Sequence, residues 1–399
     1  MTEPAVSTSP GRVSILVSTF NRAPYLRECL DSLLAQTRKP HEIIVVNDGS
    51  FDGTDAILDE YADRIIVIRQ ENSGKPRAIN RAYERSSGEY LWIFDDDDVA
   101  LPESIALHGA LLDCRPELGF TYGNYLRGVD DSNGSIRVVG NAHVPEVAED
   151  GFLISLLETC FLTTPSMLIR RSALGDAQIF DEGLMRSQDY ELFLRLARSC
   201  RCEMIREPSF VRRYHSGPRG SLSDRFDVAI IEQKWFDYEK LATARFFREA
   251  GLEEFLPRSL IPHAHDPMMA RRALAQKAVI LARKGLWDDL ARALHAIGDL
   301  RLRQSCVIQG SFLFFEKALR KDLAIRELLA NEVIRARFER DLKSNLSRSE
   351  VNAWARGLWF ALHDASCCLS ESERRKATRM VFRLFGVAGL VGEVFRKLG

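Results

Sequence analysis

The stretch GEYLWIFDDDDVALP, residues 88–102, decides the fold because a pattern of buried strand runs directly into four carboxylates. Residues 90–94 (Tyr-Leu-Trp-Ile-Phe) are a continuous run of large, mostly apolar side chains. Runs of this kind, apolar towards both faces, are typical of strands inside a parallel sheet. The aspartates that follow lie where the strand should end. Four adjacent carboxylates repel one another unless a cation or hydrogen-bond donors compensate their charge.

Three similar runs precede this one, at residues 13–17, 43–46 and 65–68. Helical patterns separate them, the clearest being the apolar repeat that follows Pro24, a residue well suited to a first helical turn. A second helix should begin at Thr54, which we expect to cap it. Alternation of strand and helix predicts an α/β fold with a mostly parallel, Rossmann-like sheet flanked by helices.

The order of elements loosens beyond residue 115. Short strands are expected at residues 137–139, 167–169 and 210–212, and a helix should begin near Asp189. Strand patterns end near residue 225, and the remainder reads as helices, with Gly285 as the stop between two of them. We therefore expect one domain over residues 11–225 and an all-helical region over residues 226–399. The turn-rich segment SGPRGSLSD, residues 216–224, is the expected boundary.

The bulk composition limits the possible functions. A formal net charge of −1 over 399 residues provides no general attraction to nucleic acid. The 8 cysteines lie in no spacing typical of zinc sites, which favours reduced thiols and a cytoplasmic location. The first ten residues lack the pattern of a signal peptide, and the apolar runs fall short of the ~20 residues of a spanning helix.

Polar side chains follow three of the predicted strands, in the motifs STFN (18–21), NDGS (47–50) and DDDD (95–98). In open α/β sheets, ligands bind in the crevice outside the carboxyl ends of the strands. An isolated acidic run is usually a solvated turn, but at the end of a buried strand it suits a hard divalent ion such as Mg²⁺. Neither G-x-G-x-x-G nor G-K-[ST] occurs in a phosphate loop, which argues against dinucleotide enzymes and common NTPases.

Five motifs in this order resemble the family 2 glycosyltransferases of the GT-A fold. They are VSILVSTFNR, EIIVVNDGSFDGT, ENSGKPRAIN, GEYLWIFDDDDVALP and SQDYELFLRLA. The resemblance covers roughly residues 11–225 and ends near RRYHSGPRGSLS. It implies transfer of a sugar from a nucleotide diphosphate donor, with inversion at the anomeric carbon.

The resemblance also implies roles for individual residues. Asp189 matches the general base, although Gln188 stands where the family usually has Glu. Asp97 matches the direct ligand of a Mg²⁺ or Mn²⁺ ion, and His215 matches a position that often completes the metal or phosphate contacts. Asp48 matches the acceptor for the donor's base, usually uracil. The residues expected to bind the nucleotide sugar are Thr19, Asn21, Asp48, Lys75, Arg77, Asp95 and Asp96.

Each assignment has a structural alternative. The motif around Asp48 is good turn chemistry, and Asp189 is well placed to cap a helix. Lys75 and Arg77 fit a solvated helix start. A lone histidine such as His215 more often has a structural role.

The expected activity is that of a hexosyltransferase-like enzyme with a donor linked to UDP and a saccharide or lipid-linked acceptor, in surface polysaccharide or glycolipid synthesis. A metal-dependent nucleotidyltransferase or phosphotransferase is the rival enzyme class. An inactive scaffold with a helical interaction domain is the rival outside enzymology. Residues 374–397 carry basic and apolar side chains that fit either peripheral contact with an anionic membrane or a packed helix. The helical region also offers surfaces for a homo-oligomer.

Overall fold

The computed structural model of the chain describes residues 10–131, 134–215, 231–304, 315–316, 318–319, 322–364 and 369–385. The chain divides into two compact units. The first comprises Met1–Phe152 with Cys160–Tyr238, and the second comprises Leu153–Thr159 with Glu239–Gly399. The predicted boundary segment, residues 216–224, lies outside the described residues.

The first half of the sheet is parallel, with strand order β3-β2-β1-β4, as the apolar runs predicted. Helices join consecutive strands. The elements are β1 (Val13–Thr19), α1 (Ala23–Leu34), β2 (Glu42–Asn47), α2 (Thr54–Glu60), β3 (Ile66–Arg69), α3 (Lys75–Arg85) and β4 (Tyr90–Asp95). β1 and β4 are buried over most of their length, because the sheet is covered on both faces.

Helix starts follow the local chemistry, with one correction. Pro24 lies in the first turn of α1, where its missing N–H costs nothing. Thr54 was expected to cap α2, but this prediction was wrong. It is the first residue of the helix, and its backbone N–H donates to the carboxylate of Asp52 at 2.9 Å.

The second half of the sheet mixes directions, and the order continues from β4 as β8-β6-β9-β5, with β7 paired to β6. β6 and β9 run parallel, whereas β8 is antiparallel to both β4 and β6. The elements are β5 (Val99–Ala100), α4 (Ser104–Cys114), β6 (Leu118–Asp130), β7 (Ile136–Ala142), α5 (Phe152–Glu158), β8 (Met167–Arg170), α6 (Gln188–Ser199) and β9 (Arg201–Tyr214). The predicted α/β class is confirmed.

The core beneath the site is apolar and continuous. Leu26, Leu30 and Leu33 of α1 pack with the inward residues of β1 and β4, and their side chains are fully buried. Burial of each such side chain stabilises the fold by roughly 1.5–3 kcal/mol. The polar strand ends are therefore carried by a rigid support.

The second unit is helical in its described part. Its elements are α5 from Leu153 onward, α7 (Ile231–Glu249, from Glu239 onward), α8 (Pro267–Arg283), α9 (Trp287–Gln304), α10 (Asp322–Ala330), α11 (Glu332–Asn345), α12 (Arg348–His363) and α13 (Glu371–Phe385). Gly285, with φ +66°, ends α8 as predicted. Among the described residues, no helix is both long and apolar enough to span a bilayer.

Candidate active site

Three polar loops meet at the carboxyl edge of the parallel half of the sheet. In the sheet register, Thr19 of β1 pairs with Asn47 of β2, and Ser18 pairs with Asp95 of β4. The residues that leave these strands are therefore neighbours in space. The sequence predicted that these strand ends meet, at the edge of the sheet where ligands bind in open α/β folds.

Side-chain amides tie two of the loops together. Asn21, which has a left-handed φ of 52°, accepts a hydrogen bond from the Phe51 backbone at 2.9 Å. Its own N–H donates to the Ser50 hydroxyl at 2.9 Å. Gly49 has φ +78°, and a Cβ there would lie 2.8 Å from the Asn72 backbone nitrogen, so the turn requires glycine. Asn21 therefore joins the first loop to the second, and its amide oxygen is already engaged.

Asp48 is a buried carboxylate that accepts hydrogen bonds at both oxygens. Oδ1 accepts from the Gln70 amide at 2.7 Å and from the Ser73 backbone at 2.9 Å. Oδ2 accepts from the Gly74 backbone at 2.8 Å and from the Asn72 amide at 3.2 Å. Asp48 thus organises the segment that leads into α3. Two of these four donors are side-chain amides, those of Gln70 and Asn72, and two are backbone N–H groups.

The four consecutive aspartates have four different sets of partners. Asp95 contacts the Lys75 ammonium at 2.5 Å, and Asp96 lies 3.8 Å from Arg22. Asp97 Oδ2 lies 3.0 Å from His215 Nε2. Asp98 accepts from the Arg213 backbone N–H at 2.9 Å. These partners are Lys75, Arg22, His215 and Arg213. Because each carboxylate has a partner of its own, the repulsion among the four aspartates that the sequence suggested is reduced.

The compensation is incomplete. Burial and the neighbouring Asp97 raise the pKa of Asp96, despite the nearby Arg22 charge and the Thr19 hydroxyl. The same two causes raise the pKa of Asp98. A raised carboxylate pKa means that the ionised form lacks favourable interactions. The acidic loop therefore favours an added cation.

Asp97 and His215 are the residues predicted to bind a metal, and they are in contact. The His215 side chain is 2% exposed and that of Asp97 is 21% exposed, so the carboxylate forms the accessible side of the pair. Among the described residues, no group of three or more His, Cys, Asp or Glu side chains is arranged to hold a metal ion. A carboxylate and an imidazole fit a divalent ion whose remaining ligands are phosphate oxygens and water.

Lys75 and Asp189 lie on the other side of the acidic loop. Lys75 is the first residue of α3, and its contact with Asp95 raises its pKa although burial opposes the charged form. Burial raises the pKa of Asp189, while the positive charge of Lys75 opposes this shift. Lys75 thus lies within electrostatic reach of both carboxylates. Arg77, two residues along α3, is exposed.

Asp189 does not cap its helix. α6 begins at Gln188, and the residue that precedes it, Ser187, has a left-handed φ of 53°. Asp189 is therefore the second helical residue, and its Oδ1 accepts from the Tyr190 N–H at 2.8 Å. A left-handed serine is strained and persists only where the surroundings impose it. Strain of this kind next to a half-buried carboxylate is typical of a functional position.

Three residues near the site had no role in the sequence prediction: Arg22, Asn80 and Arg213. Asn80, at the end of the motif ENSGKPRAIN, exchanges two hydrogen bonds of 2.9 Å with the backbone of Phe180. It thereby ties α3 to the chain segment that leads to Asp189. Arg22 and Asn80 stand inside motifs that carried the resemblance, and Arg213 lies in the segment where the resemblance ends; these positions were the available signal.

A GT-A fold with an acidic loop at the carboxyl ends of its parallel strands is the class that these observations define. Comparison with known proteins gives the family. The family described as Glycosyl transferase family 2 matches residues 14–175. An uncharacterized glycosyltransferase of Methanocaldococcus jannaschii is 30% identical over 252 residues, which cover 58% of this chain and 78% of the relative. The chain belongs to glycosyltransferase family 2, as the motifs predicted.

Other relatives agree in part. An uncharacterized glycosyltransferase of Rickettsia typhi is 34% identical over 192 residues, which cover 47% of this chain and 58% of the relative. The match thus spans little more than half of that protein. The crystal structure of S. aureus TarS 1–349 in complex with UDP-GlcNAc has a TM-score of 0.50 at 18% identity, covering 86% of this chain and 90% of that chain. This likeness supports the GT-A fold.

Proposed function

We propose that the protein transfers a sugar from a nucleotide diphosphate donor to an acceptor hydroxyl and inverts the anomeric configuration. The observation that carries this proposal is the convergence of separate motifs on one acidic loop. Lys75 contacts Asp95, His215 contacts Asp97, and the charges of Lys75 and Asp95 act on Asp189. These residues come from distant parts of the sequence, and the fold collects them at one edge of the sheet.

Asp189 would act as the general base. A base must be near its substrate and have a pKa suited to accept a proton in the reaction. Burial raises the pKa of Asp189, which makes its carboxylate a better proton acceptor than an ordinary surface aspartate. Asp189 would take the proton of the acceptor hydroxyl as the oxygen attacks the anomeric carbon. The leaving nucleoside diphosphate departs on the opposite face, and no covalent enzyme intermediate is needed.

Asp97 and His215 would hold a Mg²⁺ or Mn²⁺ ion together with the donor's diphosphate. When bound, the cation supplies positive charge against the charge that develops on the leaving group. Asp96 and Asp95 are placed to accept from ribose hydroxyls or metal-bound water. Lys75 would exchange its contact with Asp95 for a diphosphate oxygen, because a diphosphate that carries two negative charges competes well for an ammonium.

Asp48 would recognise the base of the donor, for which we propose uracil. A buried carboxylate that accepts hydrogen bonds from side-chain amides can accept the imide N–H of uracil in place of one of them. Asn21 and Thr19 would shape the wall beside it, and the exposed Arg77 would reach a phosphate or the base. The sugar we propose is a hexose, as in most nucleotide-sugar donors.

The acceptor we propose is a saccharide or a lipid-linked saccharide, in surface polysaccharide or glycolipid synthesis at the cytoplasmic face of a membrane. The apolar residues Met380, Val381 and Leu384 of α13 are fully buried in the helical unit. The exposed residues of α13 include the cations Lys376 and Arg379 and the aromatic Phe382, and any membrane contact of α13 would use these side chains. The helical unit would also provide the surface of a homo-oligomer.

The rival functions have less support. A nucleotidyltransferase or phosphotransferase needs a basic loop after the first strand to grip phosphates. Arg22 is the basic residue in that loop, and it lies 3.8 Å from Asp96. An inactive scaffold has no reason to retain the Asp97–His215 contact or the strained residue before Asp189.

The test is a screen of nucleotide sugars for thermal stabilisation, with Mn²⁺, with Mg²⁺ and with EDTA. A ligand that binds the folded state raises the melting temperature by mass action. We expect UDP-linked sugars to stabilise the protein more in Mn²⁺ than in EDTA. The best donor is then assayed for release of UDP with candidate saccharide acceptors. Stabilisation by nucleoside triphosphates alone, without any by nucleotide sugars, would favour a nucleotidyltransferase.

A further inference from the structure

Arg213, near the end of β9, is a charged residue with a fully buried side chain. Its guanidinium is 0% exposed. Nε donates to the Asp97 carbonyl at 2.8 Å, and Nη1 donates to the Gly134 carbonyl at 3.4 Å and to the Asp130 carboxylate. Nη2 donates to the Glu28 carboxylate. Removal of a guanidinium from water is costly unless its hydrogen bonds are supplied in full, so this set of partners fixes the side chain in one place.

Arg213 holds the acidic loop at two points. Its side chain grips the carbonyl of Asp97, and its backbone N–H donates to the Asp98 carboxylate at 2.9 Å. The loop is a tight turn closed by the Asp98 N–H on the Asp95 carbonyl at 3.2 Å. These bonds fix the peptide that follows Asp97, and the contact with His215 then holds the Asp97 carboxylate at Oδ2.

Arg213 also acts on His215 through an aromatic ring. Arg213 lies near the end of β9, and His215 is the first residue after this strand. The Tyr25 ring lies 4.9 Å from the Arg213 guanidinium carbon and 5.0 Å from the His215 ring. Tyr25 thus contacts both side chains. The imidazole packs against a ring that the guanidinium itself contacts, and it meets Asp97 at its other edge.

We propose that Arg213 is the positioning residue that sets the geometry of the Asp97–His215 pair for the metal–diphosphate complex. It touches neither the metal nor the donor; it acts through the Asp97 carbonyl and the Tyr25 ring. This inference rests on the proposed function, because it assigns the pair to a divalent cation. Partners that orient metal ligands typically contribute about 10–100-fold to metal affinity.

The experiment measures Mn²⁺ binding to the full chain from the free Mn²⁺ signal in electron paramagnetic resonance, with saturating UDP. Arg213→Met is expected to raise the Kd for Mn²⁺ by about 10–100-fold. The Kd for UDP measured in EDTA should stay within about twofold of wild type, since Asp48 is untouched. Arg213→Lys should not restore Mn²⁺ affinity, because one ammonium cannot reach acceptors on the acidic loop, α1 and β6 together.

Arg170→Met is the matched control. Arg170 also donates to backbone carbonyls, those of Leu118 and Leu112 at 2.9 and 2.7 Å, and its guanidinium lies over the Tyr90 ring. Tyr90 is at the start of β4, the end opposite the acidic loop. This variant should lower the melting temperature without any change in the Kd for Mn²⁺.

The outcomes are distinguishable. Equal Mn²⁺ affinity of Arg213→Met and wild type, with a melting temperature lowered as in Arg170→Met, would overturn the positioning role and leave the proposed function intact. A wild-type protein that binds UDP but no Mn²⁺ would overturn the metal site and this inference with it. If Arg213→Met does not fold, Glu28→Gln replaces it. Glu28→Gln removes the charged partner of Nη2 and should raise the Kd for Mn²⁺ by a smaller factor than Arg213→Met. No rise in this Kd would refute the positioning role of Arg213.

Discussion

Replacement of Asp189 by asparagine should separate chemistry from binding. Asparagine keeps the shape of the side chain and can accept the 2.8 Å hydrogen bond from the Tyr190 N–H, but it cannot take a proton at neutral pH. A positioned general base contributes about 10²–10⁴-fold to the rate, which corresponds to roughly 3–5 kcal/mol of the barrier. We therefore expect kcat to fall by that factor.

Stability and donor affinity should respond differently. Burial raises the pKa of Asp189 in the folded protein, so the ionised carboxylate costs stability at every pH above its unfolded pKa. A neutral amide removes this cost, and the melting temperature should remain or rise. The Kd for the donor should change little, because Asp189 is proposed to face the acceptor.

The assay measures kcat by UDP release beside the donor Kd by calorimetry, both in saturating Mn²⁺. Glu191→Gln is the matched control, since it makes the same change in the first turn of α6 at a carboxylate that pairs with Arg195. It should keep kcat within about twofold, as expected for a partly exposed ion pair. Turnover of Asp189→Asn close to wild type would refute the base assignment. Loss of donor binding would assign the residue to the nucleotide site.

Three further predictions concern other parts of the molecule. Asp97→Ala should abolish transfer and remove the Mn²⁺-dependent part of UDP affinity; full activity of this variant in EDTA would contradict the metal site. Burial lowers the pKa of His108 to about 4. Between pH 6.5 and 4 the unfolded chain therefore binds a proton at residue 108 that the folded protein does not bind. Acidification over this range should lower the free energy of unfolding of the wild type by about 3 kcal/mol more than that of His108→Gln. Equal pH slopes of the two proteins in urea unfolding would refute this. The double variant Lys376→Glu, Arg379→Glu should sediment less with anionic liposomes and should keep its transfer to soluble acceptors. Unchanged sedimentation would mean that α13 serves in packing alone.

The parallel half of the sheet could be predicted because its signal is local. β1, β2 and β4 are apolar on both faces, and each ends at a polar motif. A strand buried on both sides needs no information from its neighbours to be identified. The edge of the sheet that carries the candidate site followed from these three strands alone, whereas the roles of its residues came from the resemblance.

β6 and β9 could not be predicted in full, because their patterns change along their length. β6 is buried over its first six residues and half-exposed afterwards, and β9 alternates irregularly between buried and exposed residues. Their pairing also shifts register at several points, between Gly123 and Asn124 for example. Each shift moves the side chains that follow it to the other face of the sheet. The alternation of buried and exposed residues is therefore too short to identify the whole strand from the sequence.

Partner choice within the acidic loop lies beyond any local pattern. The four aspartates are chemically identical in the sequence, yet Asp97 meets a histidine 118 positions away while Asp98 accepts from the backbone 115 positions away. The two-residue strand β5 determines which aspartate meets which partner. Val99 of β5 pairs with Val211 of β9, and this pairing aligns the acidic loop with the end of β9. A shift of this pairing by one residue would turn the His215 side chain to the opposite face of the sheet. The contact between Asp97 and His215 is thus a consequence of tertiary register, and Arg213, which binds the loop from β9, is where that register can be tested.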